Sequence, residues 1–164
     1  MRIIIIGNSG SGKTWLAGKL AEPAGLSVIH LDELFWEPGG FDKKRRHETV
    51  LQLVERSKAD SSWIVEGVFG DLADLYSDQA GFLVWLDIDW DICKKRLLSR
   101  GSESKRHLGR EQSEEGLRKL IEWASSYHER GGSCSHAGHR ELFRRFHGKK
   151  VHVRSVEQVD AILR

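Results

Sequence analysis

Cysteine is scarce in this 164-residue chain: Cys93 and Cys134 are the only two, and their spacing is not paired. Neither a disulfide framework nor a zinc ribbon can be built from them, and a reducing cytoplasm is the compartment expected. The chain also lacks long apolar runs. The N-terminal stretch Ile3-Ile4-Ile5-Ile6 is far too short for a membrane span or a secretory leader, so no membrane partner is expected. An excess of one charge is missing as well. With 26 Lys and Arg against 24 Asp and Glu the net charge is +2, which does not point to nucleic acid, and no DNA-binding motif appears. No internal repeat or low-complexity tract divides the chain. At 39% hydrophobic and 30% charged, its length suits one globular domain, residues 1–164, with a substantial core.

What is present is a loop. Gly7 to Thr14 reads GNSGSGKT and fits G-x-x-x-x-G-K-[ST] at every fixed position. A triphosphate must be met by many backbone N–H groups at once, so the chain has to curl with few side chains in the way. Gly7, Asn8, Ser9, Gly10, Ser11 and Gly12 form that nest, Lys13 reaches the β- and γ-phosphates, and the Thr14 hydroxyl can ligate Mg²⁺. The β-branched run before the loop reads as a strand buried on both faces, and Trp15 to Ala21 after it reads as helix. That order separates a phosphate site from a glycine-rich turn that binds nothing. The helix that starts here aims its positive end at the same phosphates.

The first helix should stop near Pro23-Ala24-Gly25, followed by a strand at Ser27 to Leu31 that delivers His30-Leu31-Asp32-Glu33 beside the loop. Leu34 to Phe41 reads as neither helix nor strand. An amphipathic helix is expected over 42–58, started by Lys43, Lys44, Arg45 and Arg46. Further strands are expected at Ser62 to Gly67, Gly81 to Asp87 and Lys149 to Val153, and helices at Asp71 to Tyr76, from Asp89 or Asp91 to Arg100, at about 113–130, near 138–147 and after a Ser155/Gln158 capping box. Five buried strands alternating with helices predict an α/β fold, a parallel sheet covered on both faces around a P-loop. Between Lys94 and Arg110 stand seven Lys or Arg against one acid, Glu103.

With GNSGSGKT, HLDELFW and WIVEG in view, the chain resembles the small P-loop kinases, the adenylate, shikimate and gluconate kinase group, and within it the DNA topology modulation (FlaR-related) proteins. The matching stretches are Ile3 to Thr14, His30 to Gly39 and Trp63 to Gly70. The resemblance implies sheet order 2-3-1-4-5 and transfer of the γ-phosphoryl of ATP, with Mg²⁺, to a small acceptor, a nucleoside or nucleotide foremost. It also implies Asp32 as an acid near the acceptor hydroxyl, the 42–58 helix at the acceptor site, and a short basic lid over about 96–112. Two departures stand out. Glu66-Gly67-Val68 replaces the usual Asp-Gly-Asn, and Gly39-Gly40-Phe41 replaces a single glycine before an aromatic.

Phosphoryl transfer depends on positioning and on positive charge brought close, which a lid bearing Arg96, Arg100, Arg106 and Arg110 would provide. Arg106 and Arg110 are the catalytic choices and Arg100 a nucleotide contact; the plain alternative is a solvated helix face. Asp32 could instead only cap its segment, and Glu33 could take its role. Glu66 is the expected Mg²⁺ acid, with Asp87 and Asp89 as rivals. The turn around Arg154-Ser155 is where similar kinases hold adenine. Phe35 and Trp36 could stack on a ring or merely pack a wall. Lys43 to Arg46 could meet an anionic acceptor or only start a solvated helix. Cys134, His136, His139 and His128 lie close together in sequence, but their spacing is irregular for a metal set. The rival function is a nucleotide-dependent regulatory or DNA-associated ATPase without a small acceptor.

Overall fold

In the computed structural model, which describes residues 1–38, 43–100 and 114–164, strand β1 (Arg2–Gly7) is the axis of the chain. Its isoleucines leave at most 6% of their surface exposed, a burial worth roughly 1.5–3 kcal/mol per side chain. Such a strand needs neighbours on both edges and cover on both faces. It pairs in parallel with β3 (Trp63–Gly67) on one side and β4 (Phe82–Leu86) on the other. Beyond them lie β2 (Val28–His30) and β5 (Lys149–Val153), which completes an all-parallel sheet in the order β2-β3-β1-β4-β5. This is the expected P-loop fold.

Alternation along β1 sorts the core into two layers. Ile4 and Ile6 pack with Trp63, Val65, Trp85 and the helices α3 (His47–Lys58), α4 (Gly70–Asp74) and α7 (His136–Arg145). Ile3 and Ile5 face α1 (Lys13–Ala21), α5 (Trp90–Arg100) and α8 (Val156–Ile162). Register then places the chemistry. Ile5 pairs with Glu66, and His30 pairs with Glu66 from the other side, so both charged groups stand at the sheet's carboxyl edge beside the loop that follows β1.

Several boundaries differ from the sequence expectation. Leu31–Phe35 is a short helix, α2, so Leu34 and Phe35 end a helix and do not belong to an irregular segment. Lys43 to Arg46 precede α3 and do not start it; Trp36 and Lys44 form an isolated antiparallel bridge there. The helix expected to reach residue 130 is α6 (Glu114–Ser125), which gives way to turns. α7 begins at His136 because the Ser135 hydroxyl accepts from the Gly138 N–H. At α8 the Ser155 hydroxyl accepts from Gln158 N–H as expected, while the Gln158 side chain reaches Arg154 N–H, one residue before the cap. No helix among the described residues is long and apolar enough to cross a membrane.

Candidate active site

Gly10 and Gly12 explain why the loop needs glycine. Their φ angles are +80° and +96°, and a Cβ on Gly10 would stand 2.6 Å from the Cys93 carbonyl oxygen. Gly12 is the N-cap of α1 and has no side chain to satisfy the helix's first N–H groups, so these face the loop's concavity. Ser11 Oγ is buried there with no hydrogen-bond partner among the described residues. Asn8 serves the scaffold: its amide donates to Ala124 carbonyl oxygen and its Oδ1 accepts from Ser9 N–H, tying the loop to α6. Lys13 is buried, with Nζ donating to the Asn8 carbonyl oxygen at 2.8 Å.

The loop, Glu66 at the end of β3 and Asp32 at the start of α2 share one cavity. Ser9, Gly10, Gly12, Lys13, Thr14, Asp32, Glu66 and Arg100 all line it. Thr14 Oγ1 donates to Glu66 Oε1 at 3.1 Å, and His30 Nδ1 approaches the same oxygen at 2.6 Å. Burial alone would raise the Glu66 pKa and lower that of His30. The hydrogen bond between them, with Lys13 near Glu66, outweighs burial, so Glu66 titrates below its ordinary value and His30 above. At neutral pH Glu66 is therefore ionised. A hydroxyl and an ionised carboxylate side by side at the end of a phosphate-binding loop are the hard oxygen donors that Mg²⁺ prefers.

Of the two candidate acids, Asp32 lines the cavity while Glu33 is exposed. The α2 helix that carries Asp32 is braced by Arg45, whose guanidinium donates twice to the Glu33 carbonyl oxygen, and by Leu31, buried against Gly67. Phe35 stacks on Phe69 at 4.3 Å and meets Trp36 edge-on, so it serves as wall packing. Asp87 is engaged elsewhere, with His136 and His152, and does not line the cavity.

A second cavity adjoins the first through Gly12 and Arg100. Ser11, Trp15, Arg96, Val156 and Asp160 line it, and Trp15 is half exposed. The helix α8 that follows the turn after β5 reaches this space through Val156, Val159 and Asp160, whereas the turn residues Arg154 and Ser155 do not line it. Arg154 is not brought there: its guanidinium turns to His152 Nδ1 at 3.3 Å and lines a separate cavity. Arg106 and Arg110 lie outside the described residues, as does most of the expected lid; Arg96 Nη1 donates to Gly10 carbonyl oxygen at 3.4 Å. The Cys134/His136/His139/His128 group divides. His139 is buried between Tyr127 and the Val68 carbonyl, whereas His128 and His136 face Asp87. His30 is the residue that motif reading passed over, because its role appears only when strand register sets it against Glu66.

The sequence matches the family described as AAA domain over residues 3–118, more than half its length. This chain belongs to the AAA domain family. The AAA-domain chain is similar in structure to a gluconokinase from Sinorhizobium meliloti 1021, at a TM-score of 0.53 and 17% identity, covering 99% of this chain and 86% of that one. It also resembles a protein from Chloroflexus aurantiacus J-10-fl named only as a candidate kinase, at 0.58 and 18%, covering 98% and 93%. An uncharacterized protein from Eubacterium ventriosum ATCC 27560 superposes at 0.51 and 21% identity, covering 99% and 96%. At these identities the likeness establishes a P-loop kinase-like fold. No curated protein matches the sequence.

Proposed function

We propose that this protein is an ATP-dependent phosphotransferase that moves the γ-phosphoryl group to a hydroxyl or phosphate of a small acceptor, a nucleoside or nucleotide. The observation that carries the reading is the shared cavity: a glycine-bounded loop with Lys13, the Thr14/Glu66 oxygen pair and the Asp32 carboxylate all face one space. A non-specific phosphate binder has no use for the second acid. Two free cysteines suit a reducing cytoplasm.

In this reading the loop's N–H groups and the α1 N-terminus hold the β- and γ-phosphates, and Lys13 leaves the Asn8 carbonyl to neutralise charge that builds on the transferring group. Thr14 and Glu66 would hold Mg²⁺, which screens the phosphate oxygens when bound. For a hydroxyl acceptor, Asp32 takes the proton as the oxygen–phosphorus bond forms and the bond from the γ-phosphorus to the β–γ bridging oxygen breaks, releasing ADP. Trp15, Arg96 and Val156 offer the adenine an apolar and cationic wall, and Arg100, which lines both cavities, spans base and phosphates. α3 borders the acceptor side, and the lid would run from α5 through about residue 112, with Arg106 and Arg110 as clamps.

The test is phosphoryl transfer from MgATP to nucleosides, nucleoside monophosphates, gluconate and shikimate. Transfer to a nucleoside or nucleotide that disappears in Asp32→Asn is expected. Acceptor-independent hydrolysis alone, unchanged in that variant, would overturn the kinase reading in favour of a regulatory ATPase.

A further inference from the structure

We propose that Asp87, His128 and His136 form a transition-metal site, taking Zn²⁺ or a cation of similar ligand preference, with His152 orienting the carboxylate. The four residues come from three parts of the chain: the residue after β4, the turn after α6 with the first residue of α7, and β5. Their side chains nevertheless converge. His136 Nε2 lies 3.0 Å from Asp87 Oδ2, His128 Nε2 lies 3.6 Å from Asp87 Oδ1, and the three ligand atoms fall within 4.8 Å of one another. Donors on a tetrahedral zinc, at bonds of about 2.0–2.1 Å, stand about 3.3 Å apart, and the two imidazoles reach the two oxygens of the same carboxylate at distances on either side of that value.

His152 plays a different part. Arg154 donates to its Nδ1, which fixes the proton on Nε2, and that N–H is directed at Asp87 Oδ2 at 2.8 Å. Its ring is also stacked on Trp85 at 4.1 Å, nearly parallel, so it cannot swing away easily. A histidine that donates to a ligating carboxylate and is itself held in place is the support that metal sites use to orient their ligands. Two imidazoles and one carboxylate leave a fourth position for water, the open arrangement of zinc sites with three protein ligands.

The surroundings select the kind of cation. Arg140, Arg144, Lys150 and Arg154 line the cavity next to Asp87, and their charge opposes an ion held by electrostatics alone. Nitrogen donors favour zinc, cobalt, nickel or copper over magnesium or calcium. Such a site would pin the turn that follows α6 to the carboxyl end of β4, outside the cavity lined by Thr14 and Glu66, and it stands independently of the kinase reading.

Co²⁺ is the probe, because its visible absorption reports coordination directly. Chelator-treated protein should bind a single Co²⁺ per chain with the intense bands of a low-coordinate site, and Zn²⁺ should displace it where millimolar Mg²⁺ does not. His128→Ala, at a half-exposed position, should abolish the bands while leaving the far-ultraviolet circular dichroism intact. His152→Ala should weaken Co²⁺ binding about 10–100-fold. Glu66→Gln should leave the bands unchanged. Absence of a saturable Co²⁺ spectrum, an undiminished spectrum in His128→Ala, or a thiolate charge-transfer band that vanishes in Cys134→Ser would each overturn the assignment.

Discussion

Lys13 is buried, and its Nζ donates to the Asn8 carbonyl oxygen inside the loop, where a bound phosphate would meet its charge. Lys13→Ala removes that charge where a dry, glycine-walled loop makes it count most. Turnover should fall about 10²–10³-fold, the scale seen when one preorganised electrostatic partner is deleted. Steady-state phosphoryl transfer measures it, and a variant with wild-type kcat would take the loop out of the reaction. Glu66 allows a separate test. Glu66→Gln keeps the shape and can still accept from Thr14, but it loses the negative charge that pairs with His30. The Mg²⁺ concentration for half-maximal rate should rise about 10–100-fold, as when a metal site loses a key partner. An unaltered Mg²⁺ dependence would exclude Glu66 as a ligand.

At the scale of elements, what could be read from the sequence was what local pattern carries. β4 runs continuously apolar and β3 does so up to Glu66, both bury nearly completely, and β5 falls on the residues expected. α2 was not legible, because five residues offer no period to read. Its formation depends on Leu31 filling the space over Gly67 and on Arg45 reaching back to Glu33. The same limit hid His30 and the Asp87 cluster, whose members meet through register and crossovers. One buried chain shows how elements are tied. Trp85 Nε1–H donates to Tyr127 Oη, which lies 2.7 Å from His139 Nδ1, and His139 Nε2–H donates to the Val68 carbonyl oxygen. With the Tyr127 hydroxyl donating to Nδ1 the ring is neutral, the form that burial favours by pushing the His139 pKa down to about 4. An unfolded histidine titrates near 6.5, so the unfolded state binds more protons between these values. Stability is then fully present above pH 6.5 and is lost as pH falls toward 4, by roughly 3 kcal/mol in total. His139→Gln can keep both hydrogen bonds but cannot titrate. Urea unfolding as a function of pH should be flatter for it than for the wild type across that window; parallel profiles would show that the network does not control acid stability.

For the whole molecule, the site is distributed along the chain. Residues lining the two joined cavities come from the β1–α1 loop, α2, the end of β3, α5, α6 and α8, and they sit on both sides of β1. The two cores meet at that strand, so a ligand held there bears on both layers at once. Binding confined to the folded state stabilises it by about 2.7 kcal/mol when the ligand is at a hundred times its Kd. For a chain of this size each kcal/mol moves the melting temperature by about 2–4 °C, which makes the expected rise with saturating MgATP about 5–10 °C. Because the added stability derives from the phosphates, Lys13→Ala should lose most of the rise while melting near the wild type without ligand. A true acceptor, added with a non-hydrolysable ATP analogue, should raise the temperature further, and gluconate should not if the acceptor is a nucleoside or nucleotide. Scanning fluorimetry with that panel separates the steps: no response to MgATP would sink nucleotide binding, and a second increment with gluconate alone would move the acceptor from nucleotides to sugar acids.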